Sequence, residues 1–349
     1  MDDGACSSGD WPVELLLPAQ FSAATHAGPD RGAQVLRLAG TTMGTSWSVS
    51  CAMRAADRRD AVRVGIDAVL AGLVAELSHW EPSSALCRYN AAPAGSWQRL
   101  PDDFARVLDA ALRIAAASDG ALDPTAGPLV DLWGFGPPGP RRQPPSDTEI
   151  AAARCRVGWQ GLRRDGERLW QPGGIGLDFS AIAKGHAVDR VAAWLDSAGL
   201  PHHLVEIGGE LRGQGVKPDG SPWWVDIDDP APTSPSNRIG CRIALDGLSV
   251  ATSGDAFRHF EHGGRRYAHT LDPRSGRPLA EAPAAVTVIH PLCREADGWS
   301  TALSVLGPEA GLLLADRHGL AVRYQLREGV RDGERLRSRC SRAWVALTR

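Results

Sequence analysis

Two Asp-Gly pairs constrain the fold of this chain more than any other local signal. Asp165-Gly166 and Asp246-Gly247 each lie between short runs typical of β-strands, and Asp-Gly is the turn of a two-residue antiparallel hairpin. The sheet is therefore predicted to be at least partly antiparallel. Because helical and hairpin signals follow one another irregularly along the 349 residues, the predicted fold class is α+β.

Apolar residues at helical spacing mark the main helices. The spacing predicts a long amphipathic helix over residues 62–77, with Asp57 or Asp60 as its cap, and a second over 102–118 with Gly120 just past its end. The other predicted elements are a helix over 182–197, helical stretches over 296–306 and 309–317, and strands over 47–53, 204–207, 223–227, 285–289 and 320–326.

Residues 1–34 are rich in Gly, Ala, Ser and Asp without periodicity. We predict a flexible N-terminal arm there and one functional domain over residues 35–349. No stretch approaches the ~20 apolar residues needed to cross a bilayer, so no transmembrane segment is expected. The first thirty residues also lack the basic start of a signal peptide. The expected location is cytoplasmic, or periplasmic or membrane-anchored if a leader is missing.

The charge and cysteine patterns exclude two classes of partner. A formal net charge of −3 gives no strong positive field, so nucleic acid is not expected to bind. The seven cysteines stand far apart without a C-x-x-C pair, so no zinc site is predicted.

Lysine is rare in this chain, since only Lys184 and Lys217 are lysines among 38 cationic residues. A lysine inside a motif is therefore a mild indication of function.

Three oxygen-bearing side chains can share one face near the start of the predicted helix 296–306. Asp297 and Thr301 are four residues apart, and Ser300 is three residues from Asp297. A carboxylate with hydroxyls suits Mg²⁺, which keeps several waters and completes its shell with substrate phosphates. The alternative is that Asp297 only caps the helix.

Two other segments have the chemistry of an anion site. Asp178 is predicted at a strand end and Lys184 in the first turn of the next helix, where a helix N-terminus beside a lysine suits an anion. The alternative is an Asp cap with a solvated lysine. Gly208-Gly209 permits close approach of the backbone to another group. Neither G-x-G-x-x-G at the required spacing nor a P-loop is present, so Rossmann-type binding is not supported.

A histidine in a turn is the remaining candidate for proton transfer. His269 lies just before Asp272-Pro273, where it can move protons near neutral pH or serve a structural purpose.

Taken in order, these segments resemble the FAD:protein FMN transferase (ApbE) family, and the resemblance covers nearly all of residues 38–328. The residues that carry it are Gly40-Thr-Thr-Met43-Gly-Thr, Leu77-Ser-His-Trp80, residues 84–90, 120–136 and 178–189, Gly208-Gly209, Ser253-Gly254-Asp255, and residues 269–273 and 296–301. Each segment is weak alone, whereas the ordered set is specific.

The resemblance implies a T-fold-like α+β architecture, with partly antiparallel sheets packed with helices, in which FAD lies in a cleft and not on a Rossmann sheet. It implies FAD contacts from Met43, Trp80, Ala121, Leu122, Asp123, Asp178, Lys184 and Leu271. It implies that Mg²⁺ is held by Asp297, Thr301, Ser300 and the backbone carbonyl of Ala181. His269 matches a catalytic histidine, and Asp255 is a second candidate to accept a proton.

The activity implied is Mg²⁺-dependent transfer of FMN from FAD to a threonine or serine hydroxyl of an acceptor protein in a flavin-dependent redox system, with release of AMP. Two alternatives stay open: an FAD pyrophosphatase that yields FMN and AMP, and a non-catalytic flavin-binding module. The sequence departs from the family where Trp80 replaces a tyrosine, which still permits stacking on a ring. Ala181 offers only a carbonyl, and Ser300 stands where an aspartate is frequent.

Overall fold

The computed structural model describes residues 14–18, 28–54, 58–228, 239–254, 259–328 and 335–348. The helices in these ranges are α1 (Arg59–Leu77), α2 (Ala85–Asn90), α3 (Asp102–Ala117), α4 (Gly127–Leu132), α5 (Asp147–Arg154), α6 (Ala183–Ser197), α7 (Cys293–His318) and α8 (Arg342–Val345). The strands are β1 (Glu14–Leu16), β2 (Gln34–Thr42), β3 (Thr45–Met53), β4 (Ser96–Arg99), β5 (Arg164–Asp165), β6 (Arg168–Gln171), β7 (His203–Ile207), β8 (Glu210–Gln214), β9 (Trp223–Asp228), β10 (Ile239–Leu245), β11 (Leu248–Gly254), β12 (His259–His262), β13 (Arg265–Ala268), β14 (Leu271–Asp272), β15 (Arg277–Pro278), β16 (Ala285–His290), β17 (Ala321–Glu328) and β18 (Arg335–Cys340).

An eight-stranded sheet organises the fold. Its strand order is β18-β17-β16-β11-β8-β7-β3-β2, and every neighbouring pair is antiparallel. Helices α6 and α7 pack on one face of this sheet, with α1 and α3 packed against them. The second sheet, β1-β10-β9, shares an apolar cluster with the opposite face. The prediction of an α+β fold with partly antiparallel sheets packed with helices is confirmed.

Alternating side chains of the central strands serve the two faces. On β11, Ala251 belongs to the core under the helices, whereas its neighbour Val250 packs toward the second sheet. On β16, Val288 and Ile289 divide in the same way. The large core under α1, α3, α6 and α7 therefore fixes the position of these helices on one face of the sheet.

The helices predicted from periodicity are confirmed with small shifts at their ends. Helix α7 is a single element in which Gly307 (φ 74°, ψ 173°) and Pro308 break the helical path between the two predicted stretches. Asp60 lies in the first turn of α1 without capping it, and Asp57 lies outside the described residues.

One Asp-Gly pair forms the predicted hairpin and the other does not. Asp165 ends β5 and pairs with Arg168 of the antiparallel strand β6, so that Gly166 and Glu167 form the turn. Asp246-Gly247 instead links β10 to β11, which lie in different sheets, so the hairpin prediction is wrong there. The turn bonds to the β8 region: Gly247 N donates to Gly213 O at 2.9 Å, and Asp246 Oδ1 accepts from Gly215 N at 2.8 Å. These hydrogen bonds stabilise the turn at which the chain passes from one sheet to the other.

Part of the predicted N-terminal arm belongs to the folded structure. Glu14–Leu16 forms β1, which pairs in parallel with β10, and Leu16 is fully buried. This stretch therefore departs from the prediction of a flexible arm, while residues 1–13 and 19–27 lie outside the described part. Among the described residues, no helix has both the length and the apolar character required to span a membrane.

A glutamate of α1 caps the start of α3. Glu76 Oε2 accepts hydrogen bonds from the backbone N–H groups of Asp103 and Phe104, each at 3.1 Å. The Glu76→Ala variant is expected to lower the free energy of unfolding by about 1–2 kcal/mol, because two partly buried donors lose their acceptor. Urea denaturation measures this change. As a control, Asp67→Ala on the same helix removes only an exposed pair with Arg63 and is expected to change stability by less than about 0.5 kcal/mol. Equal losses in the two variants would contradict the capping role.

Candidate active site

Asp297 lies inside α7 and does not cap it. The helix begins four residues earlier, at Cys293, and its first N–H groups are satisfied by another residue: Asp189 accepts from Cys293 N at 2.9 Å and from Arg294 N at 3.1 Å. Asp297 therefore does not cap its own helix, and its buried carboxylate instead accepts from Gly185 N in the first turn of α6.

The carboxylate of Asp297 is fixed at the contact between α6 and α7. Its Oδ2 accepts a hydrogen bond from Gly185 N at 2.9 Å. The two helices are close here, since a Cβ on Gly185 would lie 2.4 Å from Cys293 O and 2.7 Å from Asp297 Cβ. Burial raises the pKa of Asp297, against the opposing effects of the Lys184 charge and of the Gly185 hydrogen bond.

Hydroxyl groups gather beside Asp297. Ser300 Oγ donates to the carbonyl of Asp297 at 2.8 Å and lies 2.7 Å from Ser253 Oγ. Ser253 Oγ also lies 3.1 Å from Thr301 Oγ1. Ser253, at the end of β11, thus joins the predicted set, although its position in the sequence does not indicate a ligand role. Its only signal was the Ser253-Gly254-Asp255 segment in the family resemblance.

A partly buried ion pair lies next to this group. Lys184 Nζ, at the start of α6, contacts Glu210 Oε1 at the start of β8. Burial raises the pKa of Glu210, and the nearby Asp297 charge adds to this effect. Burial acts to lower the pKa of Lys184, but the Asp297 and Glu210 carboxylates outweigh it and raise that pKa. Lys184 is therefore a charged residue with a defined partner and not a freely solvated lysine.

Two tight turns approach Lys184. Met43 (φ 50°) and Gly44 (φ 72°) form the two-residue turn between β2 and β3, the left-handed geometry of a type I′ hairpin. A Cβ on Gly208, in the turn between β7 and β8, would lie 2.9 Å from Thr45 Cγ2 and 3.3 Å from Lys184 Cδ. The Met43 hairpin, the glycine turn and the lysine therefore meet at one place.

The segment that leads to α6 also contacts residues 120–136. Asp178 N donates to Pro124 O at 2.9 Å, and Asp178 Oδ1 accepts from Ser180 N at 2.6 Å. Asn90 holds the preceding residue through both of its side-chain ends, donating to Leu177 O at 2.9 Å and accepting from Leu177 N at 2.8 Å. Asp178 is thus positioned beside the Ala121–Asp123 stretch without capping α6, whose N-cap is Ile182.

The side chains of residues 121–123 are occupied within the protein. Ala121 and Leu122 are buried, and the Asp123 carboxylate accepts from Thr125 Oγ1 at 2.6 Å and from Trp159 N at 3.2 Å. Burial raises the pKa of Asp123, which these hydrogen bonds oppose. A ligand contact at this stretch is therefore expected from its backbone.

An exposed tryptophan lies in the segment between α1 and α2. Trp80 is 53% exposed, and its ring lies 5.4 Å from the ring of His79. Burial raises the pKa of Asp131, the Asp178 charge raises it further, and the His79 charge lowers it, so these groups lie within electrostatic reach of one another. Trp80 therefore presents an open ring face next to His79, whose charge acts on Asp131.

His269 and Leu271 lie against an aromatic cluster. The rings of Phe135 and His269 approach edge to face at 6.3 Å, and Leu271 packs in the same apolar cluster as Trp133. Trp133 Nε1 donates to Gly276 O at 2.8 Å. The 120–136 segment therefore fixes the position of the His269 turn. Asp255, the other predicted catalytic residue, lies outside the described residues.

The donor set fits a hard cation that shares its shell with a substrate. In the described ranges, no group of three or more His, Cys, Asp or Glu side chains could hold a metal by itself. Asp297, Ser300 and Thr301 offer oxygen atoms from one carboxylate and two hydroxyls. The backbone carbonyl of Ala181 belongs to the residue directly before Ile182, and Ile182 packs beside Gly298 on α7. Mg²⁺ suits such an incomplete oxygen set, because waters and phosphates complete its coordination.

The fold and the site together define an α+β protein with a buried carboxylate, neighbouring hydroxyls and a lysine around a place suited to a phosphorylated anion. The sequence model of the ApbE family matches residues 43–324, and the chain belongs to this family, as the sequence predicted. Relatives named FAD:protein FMN transferase include that of Klebsiella pneumoniae, which is 37% identical over 321 residues and covers 90% of each chain. The one from Escherichia coli K12 is 35% identical over 330 residues, covering 91% of this chain and 92% of its own.

Solved structures of ApbE flavin transferases also match this chain. The apo form of the Pseudomonas stutzeri flavinyl transferase ApbE matches with a TM-score of 0.81 and 43% identity, over 90% of this chain and 97% of that one. The flavin transferase ApbE of Vibrio cholerae matches with a TM-score of 0.82 and 32% identity, over 90% and 99% of the two chains.

Proposed function

We propose that this chain transfers the FMN part of FAD to a serine or threonine hydroxyl of an acceptor protein and releases AMP. The observation that carries the proposal is the buried Asp297, held by Gly185 N and flanked by Lys184 and the hydroxyls of Ser300 and Thr301. This arrangement occurs in a member of a family whose relatives are named for that activity.

The residues that would hold Mg²⁺ are Asp297, Thr301, Ser300 and the backbone carbonyl of Ala181. When bound, this ion supplies positive charge to the pyrophosphate of FAD and to the departing AMP. Ser253 holds the two hydroxyl residues in place from β11. Because Gly185 N orients the Asp297 carboxylate, the protein provides this ligand with little reorganisation.

The other site residues would bind and orient FAD. Lys184 and the N-terminus of α6 favour the negative pyrophosphate. The open face of Trp80 suits stacking on a flavin or adenine ring, and Met43 contributes an apolar contact from its hairpin. The backbone of residues 121–123, with Asp178 and Leu271, would complete the cleft.

In the proposed reaction, the acceptor oxygen attacks the phosphorus of the FMN half. The new bond joins that phosphorus to the acceptor oxygen, the bond to the AMP oxygen breaks, and the hydroxyl proton passes to a base. His269 is the proposed base, with Asp255 as the second candidate. The product is an acceptor that carries FMN through a phosphoester.

The two alternatives differ in what replaces the acceptor hydroxyl. In an FAD pyrophosphatase, water attacks at the same site and yields FMN and AMP. In a flavin-binding module no bond breaks and no metal is needed. Transfer is favoured because the relatives that match about 90% of the chain are named as transferases.

Acceptor mass and AMP release test the proposal together. The purified chain is incubated with FAD, Mg²⁺ and a flavin-carrying subunit of a redox enzyme, beside the same subunit with its acceptor Ser or Thr changed to Ala. We expect the native subunit to gain the mass of one FMN with one AMP released, and the Ala variant or EDTA to prevent both. AMP release without mass gain across a panel of such subunits would support hydrolysis, and intact FAD would support the binding module. Fractionation of cells carrying the full-length gene tests the predicted cytoplasmic location.

A further inference from the structure

Glu210 is a buried carboxylate outside the predicted set of site residues. It is the first residue of β8 and follows the Gly208-Gly209 turn directly. Its side chain is only 4% exposed, and its Oε1 contacts Lys184 Nζ. Its Oε2 is also buried, without a hydrogen-bond partner in the part of the chain that the structure describes. The ammonium of Lys184 is thus the side-chain group that this carboxylate holds.

The location of Glu210 is costly for folding. A carboxylate removed from water loses solvation, and the neighbouring Asp297 charge adds repulsion. Buried ion pairs are weak contributors to stability, whereas clusters of perturbed ionisable groups occur preferentially at functional sites. We therefore expect the Glu210–Lys184 pair, which lies beside the proposed metal ligands, to have a function.

The chemistry of Lys184 suggests that reason. Lysine is rare here, with two lysines among 38 cationic residues. Its ammonium carries three N–H donors on a flexible stem, so that one donor bonded to Glu210 leaves two for a ligand. The Lys184 side chain is 31% exposed and is therefore not sealed inside the protein.

The turn that presents Glu210 also makes room for the lysine. A Cβ at Gly208 would lie 3.3 Å from Lys184 Cδ, so the lysine stem runs along the glycine turn to reach Glu210. One short segment, residues 208–210, thus both admits the stem of Lys184 and anchors its end.

We propose that Glu210 is a positioning residue, which holds the Lys184 ammonium beside Asp297 so that its remaining donors meet the pyrophosphate of FAD. The inference rests on the proposed function. Glu210 itself need not touch FAD, because it acts through Lys184. Ordering a long side chain before the ligand arrives removes part of the entropy cost of binding.

FAD affinity in the presence of EDTA tests this role, since it excludes metal and chemistry from the readout. Flavin fluorescence titrations compare the wild type with Glu210→Ala, Glu210→Gln, Lys184→Met and the Glu210→Ala/Lys184→Met double variant. We expect Glu210→Ala to weaken binding about fivefold and Lys184→Met about tenfold. Glu210→Gln keeps an acceptor oxygen for the ammonium, so its affinity is expected within about twofold of the wild type. The double variant is expected to bind like Lys184→Met alone.

Each contrary outcome has a distinct meaning. If Glu210→Ala weakens binding as much in the Lys184→Met background as in the wild type, Glu210 acts independently of the lysine and the inference is wrong. It is equally wrong if Glu210→Gln is as weak as Glu210→Ala, or if Glu210→Ala binds normally. A wild-type chain that binds FAD neither in EDTA nor with Mg²⁺ present would contradict the proposed function, and the inference with it. Cooperative thermal unfolding of every variant verifies that each one is folded.

Discussion

The Asp297→Asn variant is expected to lose at least about 100-fold in the rate of FMN transfer while it still binds FAD. Removing a residue that merely orients a metal ligand costs 10- to 100-fold, so loss of a carboxylate ligand itself is expected to cost at least the upper figure. Asparagine has the shape of aspartate and keeps an oxygen that can accept from Gly185 N, which preserves the contact between α6 and α7. Since burial raises the pKa of Asp297, replacing its charge with a neutral amide is not expected to prevent folding.

Glu295→Gln is the matched control on the same helix. Glu295 lies two residues before Asp297, and its carboxylate pairs with Arg113 at 2.7 Å and Arg294 at 3.8 Å, outside the proposed site. Its transfer rate is expected within about twofold of the wild type. Rates come from AMP release and acceptor mass with Mg²⁺ present, and FAD binding is measured in EDTA. Transfer by Asp297→Asn at the wild-type rate would remove Asp297 from the mechanism, and loss of FAD binding as well would show a defect before catalysis.

Periodicity was sufficient to predict the main helices, because a helix that covers a sheet must repeat its apolar residues every three to four positions. It was not sufficient to predict how the strands pair. Asp165-Gly166 and Asp246-Gly247 are the same dipeptide, yet only the first forms a hairpin. The difference lies in distant partners, since Gly213 and Gly215 bind the second turn and direct the chain into another sheet. A local sequence pattern does not identify such distant partners.

The same limit applies to the site. Asp297 and Lys184 could be singled out because their residue types and neighbours indicate a chemistry. Ser253 and Glu210 could not be assigned their contacts, since these contacts arise when β11 pairs with β8 and when α6 and α7 pack over both strands. The hydrogen bond from Gly185 to Asp297 joins residues 112 positions apart. Contacts of this kind follow from the packed fold and not from spacing.

The glycine at position 185 connects the packing of the fold to the chemistry of the site. The Gly185→Ala variant is expected to lower the free energy of unfolding by about 2–3 kcal/mol, because its Cβ would lie 2.4 Å from Cys293 O and 2.7 Å from Asp297 Cβ. To relieve this clash, α6 and α7 must move apart, and the hydrogen bond from residue 185 N to Asp297 Oδ2 then lengthens. Transfer is therefore expected to fall at least tenfold at a temperature where the variant is still folded. Urea denaturation and AMP release measure the two effects.

Gly72→Ala provides the opposite expectation in another helix. Gly72 is exposed on α1, and a Cβ there would meet no atom within 4 Å. Alanine favours the helix over glycine, so this variant is expected to gain up to about 1 kcal/mol in stability and to transfer FMN at the wild-type rate. Alanine would bring the same gain in helix propensity at position 185, but the cost of the clash there is expected to exceed this gain. A Gly185→Ala chain as stable and as active as Gly72→Ala would mean that α6 and α7 tolerate separation, and that the geometry of Asp297 does not depend on their close contact.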